Sequence, residues 1–185
     1  MKEALLIIDM QNDVVEKMVT SGREVIPKIK RVLELFRKFK KPVIHIARVH
    51  RPDGVDVEKF RKKIFSEKPF LVKGTNGAEI VDELSPAKNE YIIEKQRFSG
   101  FFQTELQILL NNLGVDTLVV TGIQTPNCVR ATVIDAIGYD YDVIVLKDAT
   151  NAKTKEIHEA NLLDMENMGV KIMTVDELMI NFKLR

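Results

Sequence analysis

Short unbroken apolar runs alternate with longer amphipathic stretches from one end of this 185-residue chain to the other, and that alternation leaves few folds open. A strand points successive side chains to opposite faces, so a run such as Leu5-Leu6-Ile7-Ile8 is apolar on both of them. Such a strand must be covered on both sides. The amphipathic stretches between the runs are the helices that cover it, and the expected fold is α/β: a mostly parallel sheet with helices on both faces.

The runs place strands at residues 4–8, 43–47, 91–93, 118–121, 143–146 and 170–173. Helices fall between them, one ending near residue 40 and others over 104–113, 126–137 and 155–167. Ser21 and Glu24 have capping-box spacing ahead of the first helix. Gly114 suits a left-handed cap after the second, and Gly169 closes the last. Residues 50–86 are polar and contain several Gly and Pro, which marks a long irregular connection where binding elements collect. No linker or internal repeat divides the chain, so residues 1–185 are expected to form one domain, long enough to bury roughly 70% of its unfolded surface.

Charge excludes some functions. Lysine and arginine number 28 and aspartate and glutamate 27, a net charge of +1, which gives no electrostatic case for a nucleic-acid or membrane partner. The basic run at residues 28–41 interleaves its charges with Ile29, Val32, Leu33, Phe36 and Phe39, as the solvated face of an amphipathic helix does. A single cysteine rules out an internal disulfide. The first residues run straight into a strand too short for a signal or membrane segment, and a cytoplasmic location is expected.

In parallel sheets of this kind, functional groups gather at the C-terminal ends of the strands. That rule points to Asp9, to Lys95 and to the stretch from Gly122 to Cys128. Thr125 reads as an N-cap and Pro126 as the first helical residue, which would put Cys128 in a first turn. Unpaired N–H groups there favour an anion and lower a thiol pKa. A free cysteine is also commonly a small buried hydrophobe. Asp9 can cap its own turn or act as a general base. Lys95 can be an ordinary solvated lysine or the charge partner of both. For each residue alone the choice stays open; three on one edge, from three strands, favour chemistry.

Leu5-Leu6-Ile7-Ile8-Asp9-Met10-Gln11-Asn12-Asp13 resembles the opening signature of isochorismatase-like cysteine hydrolases. Lys95, with Ser99-Gly100-Phe101 and Thr104-Glu105-Leu106, resembles the family's lysine region. Thr121-Gly122-Ile123-Gln124-Thr125-Pro126-Asn127-Cys128-Val129 resembles its nucleophile loop. Gly74-Thr75-Asn76-Gly77, Gly138-Tyr139, Asp148-Ala149 and His158 follow in the family's order. The resemblance implies a six-stranded sheet in a Rossmann-like three-layer sandwich, assembled as a homo-oligomer, dimer or tetramer. It makes Asp9 the general base, Lys95 its charge partner and Cys128 the nucleophile. It also implies a cis peptide between Ile123 and Gln124, with the backbone N–H groups of Gln124 and Cys128 as oxyanion hole.

The departures bear on substrate. The nicotinamidase branch binds a divalent metal through an Asp-x-His pair and a further histidine. The matching stretch here is Arg48-Val49-His50, and an arginine is no ligand, so no metal and no cofactor are expected. Gln11, Val14, His50 and Phe98 are the candidate pocket residues. Val14 stands where the family often has phenylalanine. His45 and His158 read as structural. A magnesium-dependent aspartyl phosphotransferase would need a carboxylate where Gln11 stands. Met10-Gln11-Asn12-Asp13 lacks the glycines of a dinucleotide turn. The expected activity is hydrolysis of a small-molecule amide or related C–N bond. Vinyl-ether hydrolysis, metal-assisted nicotinamidase chemistry and an inactive binding or assembly subunit are the alternatives.

Overall fold

The computed structural model describes residues 2–19 and 21–183. Among them, six strands form a single sheet: β1 (Glu3–Ile8), β2 (Val43–Arg48), β3 (Tyr91–Lys95), β4 (Thr117–Ile123), β5 (Asp142–Asn151) and β6 (Lys171–Met173). Their order is β3-β2-β1-β4-β5-β6, and every neighbouring pair is parallel. The helices are α1 (Ile26–Lys38), α2 (Lys62–Glu67), α3 (Leu106–Leu113), α4 (Arg130–Gly138), α5 (Lys155–Asn167) and α6 (Val175–Lys183).

The period-2 geometry of β1 builds a core on each side of the sheet. Leu5 and Ile7 pack with Ile29 and Phe36 of α1 and Leu178 of α6. Ala4, Leu6 and Ile8 pack with Leu110 of α3, Val133 of α4 and Met165 of α5. Each fully buried Leu or Ile contributes about 2 kcal/mol, which is why the central strands read as unbroken apolar runs.

Three local expectations are corrected. Ser21 and Glu24 make no capping box: residues Gly22–Val25 form a 3-10 turn, α1 begins at Ile26, and the Ser21 hydroxyl accepts from Asn151 at 2.9 Å. The chain does not end on a strand, because α6 follows β6. Its start carries the box that was expected elsewhere. The Thr174 N–H donates to the Glu177 carboxylate at 2.7 Å, and the Glu177 N–H donates to the Thr174 hydroxyl at 3.2 Å. Strand β5 also runs on to Asn151, well past the apolar stretch at 143–146. Gly114 does adopt the left-handed cap, with φ of 63°.

The strand order reverses between β1 and β4. This is the switch point where a parallel sheet opens a crevice at its C-terminal edge. Gly122 sits there with φ of 107°, and a Cβ on it would lie 2.1 Å from the Ile8 carbonyl oxygen. Only glycine lets the two strands stay paired as they leave the sheet.

Candidate active site

Asp9 follows β1 directly, with φ of 51°. This left-handed backbone, which Asp tolerates, turns the chain out of the sheet at the crevice. Lys95 is the last residue of β3, two strands away, and is fully buried. Its Nζ crosses the end of β2 to donate to Asp9 Oδ2 at 2.9 Å and to the Arg97 carbonyl at 3.1 Å. Asp9 Oδ1 is buried without a hydrogen-bond partner. Two charges are taken out of water here as a pair, which a fold tolerates when each neutralises the other.

Cys128 comes from the far side of the switch point. The peptide joining Ile123 to Gln124 is cis, and a π-helical turn, Thr125–Val129, leads into α4. The Gln124 carbonyl accepts from the N–H groups of Asn127 and Val129 at 3.1 and 3.2 Å. Thr125 is not the side-chain cap expected from its position. Its hydroxyl pairs instead with His158 Nδ1 at 2.8 Å, while His158 Nε2 meets the Lys147 carbonyl at 3.0 Å. His158 thus fastens α5 to the turn that carries Cys128, a structural role.

The thiol does not have the lowered pKa expected of a first-turn cysteine. Burial and the nearby Asp9 charge push it up to about 11, against the opposing pull of Lys95 and Arg48. The free cysteine is therefore a protonated thiol near neutral pH.

Arg48 enters the sequence argument only as a missing metal ligand, and the structure gives it a place. It ends β2, is 2% exposed, and sets Nη2 at 3.6 Å from Cys128 Sγ. Its Nη1 donates to Glu58 at 2.8 Å, the Phe98 ring lies 5.0 Å from its guanidinium carbon, and its Nε has no hydrogen-bond partner. Burial works against this cation, but Asp9 and Glu58, together with the Cys128 thiolate at the high pH where it forms, outweigh it and hold the Arg48 pKa above its usual value. Arg61 lies 3.5 Å from the same Glu58 oxygen and over the Phe98 ring at 5.2 Å. Burial, then repulsion from Arg48, lowers its pKa. Alternation along the polar connection carries no signal for either contact, because Arg48 and Glu58 meet through a loop.

Asp9, Cys128, Gln124, Arg48 and Arg61 line one cavity with apolar Val14 and Met18, and its volume is about 20 Å³. That is room for a water, so a substrate must displace part of the wall. A cavity of about 170 Å³ lies at the opposite end of the sheet, beside Glu3, Thr117 and Asp142. None of Asp9, Lys95 and Cys128 borders it, and chemistry, not size, locates the site.

Of the four expected pocket residues, Val14 lines the cavity and the others do not. Gln11 is fully buried and spends its amide on the backbone, donating to the Arg48 and Ala78 carbonyls and accepting from the Arg48 N–H. The His50 ring is buried against Phe65 and Phe70 at 6.0 and 5.7 Å. Phe98 backs the two guanidiniums. His45 is hydrogen-bonded to Glu90 at 2.9 Å. Among the described residues no group of three His, Cys, Asp or Glu could hold a metal ion. Arg48 and the aromatic-enclosed His50 do not fit the metal pair of the nicotinamidase branch. No described helix is long and apolar enough to cross a membrane.

A thiol, a carboxylate and an ammonium meeting at the switch point of a parallel sheet define a three-layer α/β protein with a cysteine in its binding crevice. The chain belongs to the isochorismatase family: residues 3–177 match the isochorismatase domain. It is 48% identical over 182 residues to a probable inactive nicotinamidase of Arabidopsis thaliana, covering 94% of this chain and 93% of that one. The crystal structure of an isochorismatase family protein from Desulfovibrio vulgaris superposes with a TM-score of 0.93 at 42% identity, covering 100% of this chain and 99% of that one. N-carbamoylsarcosine amidase from Thermoplasma acidophilum superposes with a TM-score of 0.82 at 30% identity, covering 95% and 98%. The family is one of hydrolases, with amide-cleaving members among these relatives.

Proposed function

We propose that this chain is a cysteine hydrolase that cleaves a small amide or related acyl C–N bond. The observation that carries the reading is that Asp9, ion-paired with buried Lys95, lines one cavity with Cys128. Asp9 takes the proton from the Cys128 thiol as Sγ attacks the carbonyl carbon, giving a tetrahedral intermediate. The backbone N–H groups of Gln124 and Cys128 are the donors assigned to its oxyanion. Asp9 then returns the proton to the leaving amine as the C–N bond breaks and a thioester forms. Water, deprotonated by the same carboxylate, attacks the thioester; the acid leaves and the thiol is restored. Lys95 is the charge partner of Asp9, and no step calls for a cofactor. The substrate is a small molecule, and the functional unit is a homo-oligomer, a dimer or tetramer.

A non-catalytic reading has two features on its side: burial pushes the thiol pKa up to about 11, and the cavity is small. The experiment that separates the two is a screen of the purified protein against nicotinamide, ureido acids, carbamoyl amino acids and isochorismate, with Cys128→Ala beside it. Turnover of a C–N substrate that drops at least about a thousand-fold in Cys128→Ala is expected. Turnover untouched by the substitution removes the nucleophile, and none with any substrate leaves the binding-subunit reading.

A further inference from the structure

In the reaction proposed above, the Cys128 sulfur has to carry negative charge, and most of its surroundings oppose that. Burial and then the Asp9 carboxylate push the thiol pKa up to about 11. The Lys95 ammonium is spent on Asp9 Oδ2 and the Arg97 carbonyl, at 2.9 and 3.1 Å. Among the described residues, the cation whose nitrogen donates to Sγ is Arg48, with Nη2 at 3.6 Å. Several contacts build that approach. β2 and β4 flank β1 in the sheet, so the guanidinium crosses the end of β1 to meet the sulfur. Gln11 grips the Arg48 backbone on both sides, accepting from its N–H at 2.8 Å and donating to its carbonyl at 2.8 Å. Glu58 accepts from Nη1 at 2.8 Å, and the Phe98 ring lies 5.0 Å from the guanidinium carbon. With its backbone, one nitrogen and one face held, Arg48 presents Nη2 to Cys128 with little further ordering to do.

We propose that Arg48 is a fourth catalytic residue, which holds the negative charge on Cys128 Sγ while the thioester is hydrolysed. This rests on the hydrolase reading above. In that step the oxygen of water bonds to the acyl carbon, and Asp9 takes one of the water protons. The C–S bond then breaks, its electron pair stays on Sγ, and the acid departs. Asp9 returns the proton to sulfur afterwards. Between the last two events the sulfur is a thiolate, and Arg48 is the cation in contact with it. A hydrogen bond to the charged form favours that form, so Arg48 makes sulfur a better leaving group. The same contact eases removal of the thiol proton at the first attack, but a sulfur of lower pKa is also a weaker nucleophile, which offsets part of that gain. Deacylation therefore depends on Arg48 more than acylation does. Arginine suits the task because it is forked. One nitrogen stays with Glu58 while another stays at the sulfur, and the group keeps its charge throughout.

The first readout needs no substrate. Iodoacetamide reacts with the thiolate, so its rate at about pH 9 follows the thiolate fraction. Arg48→Met is expected to label about ten-fold more slowly than the wild type, the mark of a thiol pKa raised further. Arg48→Lys should recover part of the loss. Val14→Ala opens the same cavity without changing its charge and should label no more slowly than the wild type, which separates charge from access. Thermal melts report folding. If Arg48→Met does not fold, Arg48→Met with Glu58→Leu removes the ion pair as a whole and carries the same expectations. The second readout uses p-nitrophenyl acetate, with the acetyl-enzyme followed by intact-protein mass. Acetyl-Cys128 is expected to persist at least about ten-fold longer in Arg48→Met than in the wild type, while the burst of nitrophenolate that accompanies its formation slows less. Labelling within about two-fold of the wild type in Arg48→Met overturns the proposal, as does an acetyl-enzyme that turns over there at the wild-type rate. If labelling slows as expected but no substrate of the screen above is turned over, the hydrolase reading fails and the leaving-group role with it. If a substrate is turned over and labelling ignores Arg48, this proposal alone fails.

Discussion

The crevice has two walls of different construction. One is made by strand ends: Asp9 after β1, Lys95 at the end of β3, and Gln124 and Cys128 just after β4. Its backbone is tied into the parallel register that pairs Ile8 with both Ile46 and Gly122. The other is made by Val14 and Met18 from a π-helical turn and by Glu58 and Arg61 from the connection between β2 and β3. Arg48 joins them, a strand-end residue held by a loop carboxylate. Under the proposed function, the division would put the reacting groups where the sheet fixes their positions and leave the loop wall to segments that can vary.

The largest expected effect comes from breaking the strand-end wall. Lys95→Ala leaves the Asp9 carboxylate buried and unpaired, a loss of about 3–5 kcal/mol of stability. The thiol then reports on the same pair. In the wild type, the rate of iodoacetamide labelling is expected to climb about ten-fold per pH unit through pH 9 and 10 without levelling, as a thiol near 11 requires. Lys95→Ala should raise the thiol pKa further, and Asp9→Asn should lower it while still abolishing turnover. A wild-type thiol that levels off near 8.5, and ignores both substitutions, would uncouple Cys128 from that wall.

Glu58→Gln probes the loop wall. Its carboxylate is the shared partner of Arg48 and Arg61, and without its charge two guanidiniums face each other in a half-dry pocket. A loss of about 3 kcal/mol is expected, read as a lower denaturant midpoint with an unchanged slope. Labelling of Cys128 in Glu58→Gln should change far less than in the Lys95 variant. A loss below about 0.5 kcal/mol would mean that this wall is not held together through Glu58, and the contrast between the walls would narrow.

The two walls also differ in how far the sequence discloses them. Unbroken apolar runs and the strand-end rule lead directly to the sheet, to Asp9 and to Lys95, because burial and topology act through local pattern. Arg48, Glu58 and Arg61 are invisible to pattern. Their association depends on how an irregular connection folds back, and no period links residues 48, 58 and 61. Helix starts show the same limit at smaller scale. Ser21 with Glu24 and Thr174 with Glu177 have the same spacing, yet only the second pair caps. Asn151, distant in sequence, takes the Ser21 hydroxyl. The thiol went astray for a related reason, since its position in the turn favours the anion while its burial does not. Burial won.

The smallest expected effect belongs to His50, a pocket candidate that the fold places behind the loop wall. Both of its ring nitrogens are buried without a hydrogen bond; Nδ1 lies 3.5 Å from Asp56, and Phe65 and Phe70 enclose the ring. Burial lowers its pKa, with Asp56 opposing and Arg48 assisting. The sign for stability follows from linkage. Below about pH 6.5 the unfolded chain binds a proton on this residue that the folded chain refuses, so stability falls as pH drops through that window. His50→Leu removes this share and suits the aromatic surroundings. The decline in melting temperature between pH 6.5 and 5 should therefore become shallower. It should not vanish, because His45 and His158 are also held below their usual pKa by burial. At pH 8 the variant should lie within about 1 kcal/mol of the wild type, because an apolar group replaces polar atoms that had no partners. Turnover and KM should stay within two-fold. A ten-fold rise in KM in His50→Leu would return this residue to the pocket and give the loop wall a part in recognition.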